Sequence, residues 1–73
     1  MLSTDLVRMS TQIAQFFEPY PPAEAVDGVQ DHLVKFWTPA MRAELLAVRR
    51  ADVVPLHPLV AQAVDRLRAG NPA

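Results

Sequence analysis

The tripeptide Trp37-Thr38-Pro39 constrains this chain more than any other feature. A proline disfavours helical geometry in the residue before it, so a helix arriving from the N-terminal side must end near Trp37. Thr38 can then cap a new helix whose first position is Pro39, where a missing N–H costs nothing. The flanks have helical spacing. Val29, Leu33 and Phe36 fall at intervals of four and three before the corner, and Met41, Leu45 and Val48 do the same after it. The only tryptophan therefore stands at a helix–helix corner, where its ring fills the angle or protrudes from it.

The same signals divide the rest of the chain. Leu2, Leu6, Met9, Ile13 and Phe16 recur at four, three, four and three, with Phe17 widening the stripe. With Ser3 or Thr4 as cap and Asp5 at the positive end of the dipole, this predicts a helix at about residues 4–17. Glu18-Pro19-Tyr20-Pro21-Pro22 cannot continue it, which predicts a rigid, extended turn at 19–22. Tyr20 there either lids the core or presents its ring to a partner.

A second helix follows at about 22–37, acidic in its first turns at Glu24 and Asp27, with Val26, Val29, Leu33 and Phe36 as its stripe. Gly28 within it costs about 0.5–1 kcal/mol relative to Ala, which points to the close approach of another helix. The third helix, about 39–50, has Leu46 beside its inner stripe and Arg42, Arg49 and Arg50 outward. Ala51–His57 reads as a linker. Pro58 suits the first turn of a fourth helix, about 57–69, whose face is Val60, Ala63, Val64 and Leu67. Arg66 and Arg68 suit its negative end, Gly70 its C-cap, and Pro72 its stop. The expected fold is all-α: a small bundle of about four helices forming a single helical domain over residues 1–73.

Composition narrows the function. A chain of 73 residues buries only about 60–65% of its unfolded surface, so its stability is marginal unless something braces it. An apolar fraction of 51% argues against disorder, and it is generous for so small an interior, which hints at a surface shared with a partner. A net charge of −1 gives no broad pull toward nucleic acid or an anionic membrane, although residues 1–36 carry five acids and two bases while residues 37–73 carry five bases and three acids. The absence of cysteine removes disulfides and thiolate metal sites. No apolar run reaches the ~18–20 residues that span a bilayer, and the N-terminus lacks a signal-peptide pattern, so a cytoplasmic protein is expected.

No catalytic constellation is visible: neither a nucleophile with its base, nor paired carboxylates, nor a metal-ligand set. The two glycines form no phosphate loop. Asp31 and His32 are neighbours on a helix, pointing about 100° apart, so they are not an oriented dyad. His32 is either a hydrogen-bonded structural residue or a titrating one. A helix-turn-helix DNA reader fits less well, because the corner is Thr-Pro, the chain is acidic and base-reading side chains are few.

Three segments together resemble a known family. They are L-V-R-M-S-T-Q-I-A-Q-F-F (residues 6–17) followed by Tyr20-Pro21, D-H-L-V-K-F-W-T-P-A-M-R (residues 31–42), and L-H-P-L-V-A-Q-A-V (residues 56–64). This set resembles the small delta subunit of NAD-dependent molybdenum or tungsten formate dehydrogenases. Val53 and Val54 make the linker more apolar than the polar or alanine-rich segment typical of that family. The resemblance implies a non-catalytic accessory subunit with no cofactor of its own. Its partner would be the large alpha subunit, which holds bis-molybdopterin guanine dinucleotide and iron–sulfur clusters. The remaining subunits pass electrons to NAD through FMN.

The implied role is assembly or stability of that complex, with transient chaperoning of molybdenum cofactor insertion as the alternative. Arg42, Arg49 and Arg50 would be the phosphate-binding set in the second case. A homo-oligomeric or DNA-binding regulator is the third class, and self-association of the isolated chain is open. No nucleic-acid or membrane partner is expected. The family motif assigns no roles to residues, so the interface expectation rests on the weight of aromatic and arginine anchors at interfaces. It selects Tyr20, His32, Trp37, Met41 and Arg42, and leaves Phe16, Phe17, Leu33 and Phe36 to the core. Trp37 serves either use. Arg42 either stacks on the Trp37 indole or reaches a carboxylate on another protein.

Overall fold

Prolines open three of the four helices in the computed structural model, which describes residues 3–70. The helices are α1 (Ser3–Phe17), α2 (Pro22–Phe36), α3 (Pro39–Ala51) and α4 (Pro58–Arg68). Each expected boundary holds to within one residue, and no strand occurs among the described residues. Leu2 and Pro72, assigned above to a stripe and a stop, lie outside the described residues. The first residue of α1 is Ser3 itself, so Ser3 and Thr4 are helical and do not precede the helix as caps.

The three later helices open with the same backbone bond to the carbonyl of the preceding cap residue and differ in their side-chain caps. The Pro21 carbonyl accepts the Ala25 N–H at 2.8 Å without any side-chain cap. The Thr38 hydroxyl accepts the Met41 N–H at 3.2 Å, as the sequence predicts. His57 caps α4: its Nδ1 accepts the Leu59 N–H at 3.1 Å, while its Nε2 lies 3.6 Å from Glu18 in the α1–α2 turn. The residue read only as a linker end and helix opener thus ties two distant segments together. At the other ends, Asp52 adopts the left-handed conformation (φ 55°) to close α3, and Gly70 does so (φ 78°) after α4. Glycine reaches that region at little cost, whereas aspartate is one of the few other residues that tolerate it.

Helix α2 lies between α1 and α4 and packs most extensively against α4. The core is Leu6, Ala14, Val26, Val29, Leu33, Trp37, Leu45, Val60, Ala63 and Val64, and Met9, Ile13, Phe17 and Met41 are among the half-buried residues against it. Trp37 is 5% exposed. The chain leaves α2 at this residue in an extended conformation (ψ 143°), which swings the indole inward to fill the corner. Of the two uses open to it, this chain makes the core one.

Phe16 and Phe36 depart from expectation: both are surface residues, at 65% and 72% exposure. The fully buried face of α1 is Leu6, Ser10 and Ala14, rotated partway from the large-residue stripe so that Met9 and Ile13 are only half-buried and Phe16 is outside. Small residues at four-residue spacing let α1 approach its neighbours closely, and at ~100° per residue Phe16 then lies roughly 120° around the helix from Ser10. Phe36 is displaced by its neighbour, because Trp37 takes the inward position at the corner. Nor does Tyr20 lid the core; it is about half exposed.

Gly28 has a defined reason. A Cβ built on it would stand 2.6 Å from Phe17 Cδ1, with Cε1 closer still, so the ring at the end of α1 occupies the place of a side chain. The close approach expected at Gly28 is therefore made by an aromatic ring on α1.

Two stability outcomes follow from this packing. Trp37→Ala should cost about 3–5 kcal/mol, comparable with the whole stability of a domain this small, and urea or thermal melts should show loss of cooperative folding. Gly28→Ala should lower the melting temperature despite its better helix propensity, and should raise it in a Phe17→Leu background where the ring is gone.

Candidate functional site

The corner after α2 is built by one arginine. Nη1 of Arg42, in the first turns of α3, donates to the carbonyls of Leu33 and Val34 at 3.2 Å each and to that of Trp37 more closely. The last carbonyls of a helix have no partner within it and carry the negative end of its dipole, so a guanidinium there satisfies both. Arg42 is the C-terminal cap of α2. Neither use open to it in sequence, indole stacking or a carboxylate on another protein, describes this geometry. Met41 is half-buried against the core beside it. Three of the five residues expected at an interface (Trp37, Met41 and Arg42) thus build the corner itself.

The other two, Tyr20 and His32, fall on a different surface. Phe16 and Phe17 meet edge to face at 5.0 Å, and Tyr20 lies over Phe17 at 5.5 Å. On α2, His32 stacks with Phe36 at 4.8 Å. Between these two groups lies a hollow of about 290 Å³ lined by Ile13, Phe16, Phe17 and His32. An aromatic seam therefore runs along the junction of α1 and α2, with rings on both sides of one depression. Its most exposed members, Phe16 and Phe36, are those that stripe counting assigns to the core. For Phe16 the signal in the sequence was the row Leu6-x3-Ser10-x3-Ala14; for Phe36 it was its place as the last residue of its helix, beside the larger Trp37.

Charge gathers at the far ends of α3 and α4. Arg49 donates to both carboxylate oxygens of Asp65 at 3.1 Å, Arg68 lies 3.9 Å away, and Arg50 and Asp52 line the same depression. Hydrogen bonds from Arg49 hold the Asp65 carboxyl below the usual carboxylate range against the opposing effect of desolvation, and the charges of Arg49 and Arg68 act the same way. The Arg49 guanidinium is raised in turn, chiefly by that hydrogen bond. Arg42, Arg49 and Arg50 do not form one basic face, since Arg42 is committed to the corner. No group of three or more His, Asp or Glu side chains that could hold a metal ion occurs among the described residues. None of the described helices is long and apolar enough to cross a membrane.

Fold and surface define a small four-helix protein whose distinguishing feature is an exposed aromatic seam. Its residues also place it in a family. The sequence model for the NADH-dependent formate dehydrogenase delta subunit, FdsD, matches residues 5–64, and the chain belongs to that family. No curated protein and no solved structure matches it. The matched span includes α1 from Asp5 on, all of α2 and the whole Trp37–Arg42 corner.

Arg42→Gln should cost about 1.5–3 kcal/mol, the range for hydrogen bonds to a charged group, read by thermal melting. Arg42→Lys should recover only part of it, because an ammonium lacks the planar fork. The Asp65 carboxyl should titrate lower in the folded chain than in Arg49→Gln, as followed by NMR. Because its folded value is depressed, its stabilisation is fully present above the ordinary carboxylate value, ~3.9, and is lost as the pH falls through the lower folded value.

Proposed function

We propose that this chain is a non-catalytic accessory subunit of a cytoplasmic, NAD-dependent molybdenum formate dehydrogenase, binding the alpha subunit and supporting assembly or stability of the complex. Family membership supplies the enzyme. The observation that supports a binding role is the seam, where Phe16, Phe36 and Tyr20 are exposed on a chain with little interior to spare. Burying a phenylalanine side chain contributes about 1.5–3 kcal/mol, so leaving two in water is a loss that a partner subunit would recover.

The cofactors of the enzyme belong, in this reading, to the other subunits. Iron–sulfur clusters are held chiefly by thiolates, and this chain has no cysteine. What it supplies is shape: a rigid corner and an aromatic surface presented by α1 and α2. Chaperoning of cofactor insertion draws less support, since Arg42 is committed to the corner and Arg49 is already paired with Asp65.

The test is a pull-down of the tagged chain from its native cell extract, with metal analysis of what accompanies it. A large iron–sulfur subunit loaded with molybdenum or tungsten is the expected companion. The same subunit without metal would replace the stable-subunit reading with a maturation role. Recovery of neither would overturn the proposal.

A further inference from the structure

We infer that the α1–α2 seam is where this chain docks, and that it receives from its partner one large apolar side chain flanked by a basic residue. The inference rests on the reading above that the chain is a formate dehydrogenase subunit, and adds the surface and the chemistry of the contact. The hollow between Phe16 and Phe17 on one side and His32 on the other has apolar walls and a single polar edge, the imidazole. A leucine, methionine or phenylalanine side chain fits it, with Tyr20 against Phe17 on one wall and Phe36 against His32 on the other. Concave apolar ground rimmed by aromatic rings is where interface anchors insert.

Charge around the seam specifies the flank. Both cations of this half of the chain are consumed locally: Arg8 pairs with Asp5 at 3.2 Å and Lys35 with Asp31 at 3.1 Å. Asp27 is taken by Arg66 of α4. Glu24 is exposed and enters no ion pair among the described residues. It stands one helical turn before Gly28, whose face the Phe17 ring covers, and so lies at the Tyr20 end of the seam. Glu18, in the turn that carries Tyr20, faces only the imidazole of His57, which accepts a backbone N–H at Nδ1. The Tyr20 end of the seam thus presents one acid with no ion pair among the described residues, Glu24, and both local cations are already paired.

This asymmetry also argues against a second copy as the occupant. A two-fold interface sets the same patch against itself. Two seams would bring no unpaired cation to answer Glu24, whereas a lysine or arginine beside the apolar anchor of a different subunit answers it.

The experiment uses the full chain and formate dehydrogenase purified without its delta subunit, with affinity measured by interferometry. Failure of the wild-type chain to bind would overturn the subunit reading itself, and with it the partner assigned to the seam. With wild-type binding in hand, Phe16→Ser and Phe36→Ser should each weaken it by roughly tenfold or more. Glu24→Lys should weaken it as well, more at low than at high ionic strength. Phe16 and Phe36 are exposed, so melting midpoints of their variants should stay near the wild-type value, and Glu24→Lys should lower its midpoint only slightly, by the loss of an acid from the first helical turn, which separates docking from folding. Wild-type affinity in all three variants would overturn the seam as the docking surface. Loss with the phenylalanine variants but none with Glu24→Lys would overturn the basic flank. A wild-type dimer by sedimentation that Phe36→Ser dissociates while enzyme binding persists would assign the seam to self-association and overturn the proposal.

Discussion

The architecture depends on the bonds from Arg42 to the C-terminal carbonyls of α2. A proline-directed corner ends one helix and starts the next within two residues, which leaves carbonyls at the end of the first with no partner in their own helix. Exposed to water, those groups would let the last turn fray. Held by a guanidinium from the next helix, they keep the end of α2 in a fixed relation to the start of α3. The same corner drives the Trp37 indole into the core and pushes Phe36 out of it. One local device therefore sets the bundle angle, supplies the largest core side chain and creates half of the exposed aromatic surface.

The other half comes from α1. Its most deeply buried residues are Leu6, Ser10 and Ala14, with Met9, Ile13 and Phe17 half-buried beside them. Close packing of small residues turned a helix whose large side chains would, on hydrophobicity alone, all be directed inward. Phe17 remains half-buried because Gly28 leaves room for its ring, and Phe16 is left outside. The exposed aromatic residues Phe16, Tyr20 and Phe36 gather along one seam, while Val53 is exposed in the α3–α4 linker, and an aromatic cluster of that kind suits a subunit surface. A delta subunit of formate dehydrogenase is one part of a larger enzyme, and this arrangement suits that place.

Electrostatics divides the molecule in a way that total charge conceals. Most surface charges pair within their own helix or with one packed against it: Asp5 with Arg8, Asp31 with Lys35, Asp65 with Arg49, Asp27 with Arg66. Exposed pairs of this kind contribute little to stability. Their effect is to remove charge from consideration and to leave a few uncompensated groups, Glu24 on one face and Arg50 near the opposite pair of helix ends, to carry any electrostatic preference.

The residues by themselves determined the four helices, because prolines and cap residues act within a few positions and leave no alternative. They also determined the family, through the ordered set of motifs that the FdsD match spans. The buried stripes of α2 and α4 were legible in the same way, since Val26, Val29, Leu33, Val60 and Val64 sit where a period of 3.6 puts them. Only the tertiary structure decided which way α1 faces, which of Phe36 and Trp37 goes inside, and what Arg42 and His57 are for. Each of those outcomes depends on how closely helices approach or on a bond between segments. Hydrophobic spacing records that a residue is apolar, but not which neighbour will take the space beside it.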